Sequence, residues 1–109
     1  MVLKASEILA SMTTAARNSL AQDWPKAKDY AEPELKRLAQ SLADIAALAE
    51  SGKVNSQQAR SLVQIHKNTT MMVLLTIEGL GIIAVENAIN AALAAARDAV
   101  NTAAGLKVL

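Results

Sequence analysis

At 109 residues the chain has room for one domain. Its 11 basic and 10 acidic residues leave a net charge of +1 without a basic cluster, so nothing indicates a nucleic-acid partner. The absence of cysteine excludes disulfides, thiolate metal sites and a cysteine nucleophile.

Apolar residues make up 52% of the chain, enough for a core, yet there is no Phe, one Trp and one Tyr. The 23 alanines, spread over both halves, favour helix and are depleted in strands. A core of Ala, Leu, Ile and Val with almost no rings implies helices packed at close range. The expected fold is all-α. The first residues, Met1 to Glu7, lack the basic region and apolar run of a signal peptide, so the cytoplasm is the default location.

In chain order, Ile8, Leu9, Met12, Ala15, Ala16 and Leu20 recur at helical spacing and predict a first helix over about 4–22. Asp23-Trp24-Pro25 interrupts it: Pro25 lacks a backbone donor and disfavours helical geometry at Trp24, so it either starts a new helix at its first position or bends a continuing one. Glu32-Pro33-Glu34 repeats the problem, so residues 23–33 read as a kinked passage. From Glu34, the residues Leu35, Leu38, Leu42, Ile45 and Ala49 predict a second helix over 34–51. Ser51-Gly52 supplies its stop, and Asn55 or Ser56 is a ready cap for a third helix.

Residues 56–104 contain no proline, and their only glycines are Gly79 and Gly81. They read as one long helix, amphipathic at both ends. Through its middle, 69–85, it is apolar on almost every face, with Glu78 the single charge. About 47 helical residues make a rod of roughly 70 Å. The first half of the chain, bent at its prolines, would fold back along it as a long antiparallel hairpin. Pairing about the turn near residues 53 and 54 sets Gly79 and Gly81 beside positions 26–28.

A two-helix hairpin has one contact seam, whereas a helix apolar all round needs to be enclosed. The expectation is therefore a homo-oligomer, dimer or larger, meeting through residues 69–85. A four-helix bundle of two hairpins is the simplest closed form.

Candidate chemistry is thin. Glu78 sits among Val73, Leu74, Ile77, Leu80 and Ile82. A carboxylate buried there needs a partner, and the hairpin register offers Lys26, Lys28 or Tyr30. A carboxylate-based metal site built on Glu78 and Glu86 is the alternative. The Glu-x-x-His spacing of di-iron bundles is absent, because the lone histidine, His66, has Val63 three residues before it. No metal ligand, cofactor or catalytic residue is assigned, and no enzyme activity is expected. Gly79-Leu80-Gly81 lacks the third glycine and preceding strand of a dinucleotide fingerprint. A membrane span over 68–85 falls at the short end of the required length and carries Glu78 at its centre. A membrane association is thus the less favoured reading.

In length and hairpin form the chain resembles the small secreted WXG-type proteins of bacterial export systems. Their Trp-x-Gly turn is replaced here by Ser51-Gly52-Lys53-Val54, and Trp24 is followed by Pro25, so no residue role carries over. The sequence supports a non-enzymatic helical oligomer, a structural or protein-interaction module.

Overall fold

Where the sequence offers caps, the chain uses them. Gly52 takes φ +77, and the amides of Lys53 and Gly52 donate to the carbonyls of Leu48 and Ala49, closing the preceding helix. Three residues later the Asn55 side chain accepts from the Gln58 amide while the Gln58 side chain accepts from the Asn55 amide. That reciprocal capping box starts the next helix at Ser56.

The computed structural model describes residues 2–109, which are all-helical with no strand among them. Helix α1 spans Ala5–Leu20, and a 3-10 turn over Ala21–Asp23 links it to α2, Trp24–Glu50. Helix α3 spans Ser56–Leu74 and α4 spans Ile82–Ala104. Successive helices run antiparallel. Ala5 and Leu9 line a groove with Pro33 and Gln40, whereas Thr13 shares one with Asp29 and Glu32. The 27 residues of α2 rise about 40 Å, close to the molecule's 42 Å long axis.

Two expectations about backbone continuity are corrected. Residues 23–33 are not a kinked passage between helices: α2 begins at Trp24 with Pro25 in its first turn and continues through Pro33. Pro25 costs nothing there, since first-turn amides have no helical partner anyway. Pro33 is exposed, so the Asp29 carbonyl it leaves without a helical donor can face water. The real break is Ala21, at φ +50.

The single helix expected over 56–104 is two helices. At residue 75 the ladder tightens to short-range bonds, with the amides of Thr76 and Ile77 donating to the carbonyls of Val73 and Leu74. Gly79 then takes φ +88. This position needs glycine for its conformation, whereas the Lys26 Nζ that an added Cβ would meet at 3.0 Å ends a flexible, partly exposed side chain that shifts at little cost. The joint, 75–81, turns Ile77 and Leu80 inward and reverses the chain. A 70 Å rod is thereby avoided. Nor is the four-helix bundle of two paired hairpins supported, because one chain already buries both halves of 56–104 against its own first arm.

The buried residues form one cluster drawn from every helix. Helix α4 carries the stripe Val85, Ala88, Ile89, Ala92, Ala96 and Val100, every member essentially inaccessible. It packs chiefly on α1, which offers Ile8, Met12, Ala16 and Leu20. Alanine against larger aliphatic residues lets the backbones approach closely, which is what the alanine-rich, ring-poor composition implies. Helix α2 supplies Leu35, Leu38 and Leu42, each fully buried and worth about 1.5–3 kcal/mol of transfer free energy. Helix α3 packs mainly on α2 and touches α4 least of the α-helix pairs in contact.

Candidate functional site

The stretch 69–85 is divided by the fold into an inward and an outward set. Thr70, Leu74, Ile77, Leu80 and Val85 are buried. Met72 and Ile83 are 71% and 73% exposed, Ile82 is 60% exposed, and Leu75 is also exposed. Met72 lies in the last turn of α3 and Leu75 just past its end, and Ile82 and Ile83 open α4, so the four flank the joint in the chain. Ile65, seven residues before Met72 on α3, is exposed as well. Single exposed apolar residues on a surface need no explanation, but four large ones flanking one joint call for one.

Glu78 lies in the joint and is exposed. The expectation that it is a buried carboxylate is corrected. The backbone leaves the helix three residues earlier, so the side chain is free to face water. Among the described residues it makes no ion pair with Lys26, Lys28 or Tyr30. Lys26 instead pairs with Asp23 at 3.4 Å, both side chains partly exposed. Gly79 does lie against Lys26, whereas Gly81 meets nothing within 4 Å.

Glu86 is exposed on α4 and His66 is half-buried on α3. No group of three or more His, Asp or Glu side chains that could hold a metal ion occurs among the described residues. Nor is any helix among them long and apolar enough to cross a membrane, the run 68–85 being cut by the joint.

The buried carboxylate is Glu34, whose side chain is 7% exposed. Its Oε1 accepts from Arg37 Nη1 at 3.1 Å, while Oε2 is buried with no hydrogen-bond partner among the described residues. By sequence alone Glu34 falls with Asp29 and Glu32 on a solvated face. A usable signal is nonetheless present: extending the α2 stripe back through Pro33 gives Leu38, Glu34, Ala31 and Ala27 at helical spacing. Glu34 therefore occupies a core position on that stripe.

The remaining concavities are shallow. Two adjoining grooves of about 410 and 470 Å³ follow the α1–α2 seam and share Leu9, Pro33 and Lys36. Arg37 lines the first and Asp29 and Glu32 the second, with Lys36 common to both. They present no catalytic constellation. Comparison with protein-family models, with curated proteins and with solved structures gives no match.

Proposed function

We propose that the protein is a non-enzymatic helical module that assembles with further copies of itself through residues 69–85. The observation that carries this reading is the exposed group Met72, Leu75, Ile82 and Ile83 around the joint. Burying these side chains against another copy removes apolar surface from water, the dominant favourable term in association. Glu78 is the single charge in the sequence of 69–85, the Lys26 ammonium beside Gly79 is paired with Asp23, and a net charge of +1 sets no electrostatic barrier between copies. In this reading α1–α2 and α3–α4 are two antiparallel arms that present the joint at one end, and a dimer about a twofold axis is the simplest closed assembly.

Ile83→Lys tests the reading. The side chain is outside the core, so thermal stability at low concentration should stay within the range of a surface substitution, about 0.5 kcal/mol. Light scattering should show the mass falling from that of a dimer or larger to that of a monomer. A variant that assembles as the wild type does would move the interface elsewhere.

A further inference from the structure

Past the end of α4 the chain does not simply trail away. Gly105, at φ +72, closes the helix, and residues 106–109 turn back. The Asn101 side chain meets them with three hydrogen bonds. Its Oδ1 accepts from the amides of Val108 and Leu109 at 2.8 and 3.0 Å, and its Nδ2 donates to the Leu109 carbonyl at 3.3 Å. From α3, Ser56 Oγ donates to the Lys107 carbonyl at 2.7 Å and accepts from Arg60 Nη2. Val108 is 1% exposed. Beyond it Leu109 lies against α4, beside a groove lined by Asn90, Leu93, Ala94 and Arg97.

Every bond that Asn101 and Ser56 make to this segment goes to its backbone, and its side-chain contacts are aliphatic: Val108 is buried, and Leu106 and Leu109 are partly buried against the core. That is how a protein reads an extended peptide: main-chain bonds hold it and a pocket takes an anchor. The segment also bridges α3 and α4, which have the slightest direct contact of the helix pairs that touch. Ordering four residues opposes a few hydrogen bonds, one buried valine and two partly buried leucines.

We propose that the flank of α4 from Leu93 to Asn101, with the first turn of α3, is a seat for an extended aliphatic peptide. Residues 106–109 fill it in cis as a detachable strap. The seat lies at the opposite end of α3 and α4 from the joint, and the proposal does not rest on assembly through residues 69–85.

The test uses the full chain carrying Val108→Asp, which ejects the anchor, followed by amide NMR. Chemical-shift changes should be confined to the start of α3, the second half of α4 and the strap, with α1 and α2 as protected from exchange as in the wild type. Acetylated, amidated Gly-Leu-Lys-Val-Leu, added at millimolar concentration, should return the Ser56 and Asn101 side-chain signals toward their wild-type positions saturably. The wild type, its seat occupied, should respond at least about tenfold more weakly, the ratio expected if the strap is closed most of the time. Val108→Asp combined with Asn101→Ala should not respond. Three results would overturn the proposal: unfolding or disturbed α1 and α2 in Val108→Asp, which would make the segment part of the core; an equal response from the wild type; or no saturable response from Val108→Asp.

Discussion

The middle of α2 and the joint between α3 and α4 set the same problem, an acid in an apolar setting, and resolve it in opposite ways. In α2 the backbone stays helical through Pro33, so Glu34 is carried onto the buried stripe and, among the described residues, has Arg37 as its one partner. In the joint the helix stops at Leu74, and Glu78 escapes to solvent although its sequence neighbours Ile77 and Leu80 are buried. Backbone continuity decides where a residue points. The apolarity of adjacent residues does not, because neighbours in a turn face different ways whereas helical positions are fixed by period.

That contrast can be tested first where the effect is largest. Leu38→Ala, on the α2 stripe, removes a fully buried side chain and should cost about 2–5 kcal/mol in chemical denaturation. Met72→Ala, in the outward set of the joint, should cost no more than about 0.5 kcal/mol at concentrations low enough that assembly does not contribute. Similar losses at the two positions would erase the distinction between core and surface.

A smaller effect separates the two acids. Arg37→Ala leaves the Glu34 carboxylate buried without its counter-charge and should cost about 1–3 kcal/mol. Arg37 is itself largely exposed, which keeps the figure below that of a fully buried pair. Glu78→Gln should change stability by less than about 0.5 kcal/mol. The reverse order, measured by thermal unfolding, would return Glu78 to the interior.

The all-helical fold was legible in composition and period, and so were the Gly52 stop and the Asn55 cap, which depend on residues adjacent in sequence. One weak point was visible too: Gly79 falls beside Lys26, whereas Gly81 has no such neighbour. What was not legible is that the break would be complete. One glycine pair inside a helix costs only about 1 kcal/mol per residue, which does not end a helix by itself. The gain that ends it is tertiary, the burial of Ile77 and Leu80 on the chain's own core. At Pro33 the error ran the other way, since an exposed proline face makes a helix interior tolerable where local rules predict a stop. Glu34 was missed for that reason alone. The Asn101 strap was out of reach, because its partner Ser56 lies 51 residues from Lys107.

Sedimentation equilibrium of the unmodified chain across the micromolar range bears most directly on the joint as an assembly surface. The expected result is reversible association to a dimer or larger, with Met72, Leu75, Ile82 and Ile83 covered. A chain that stays a folded monomer throughout would contradict it.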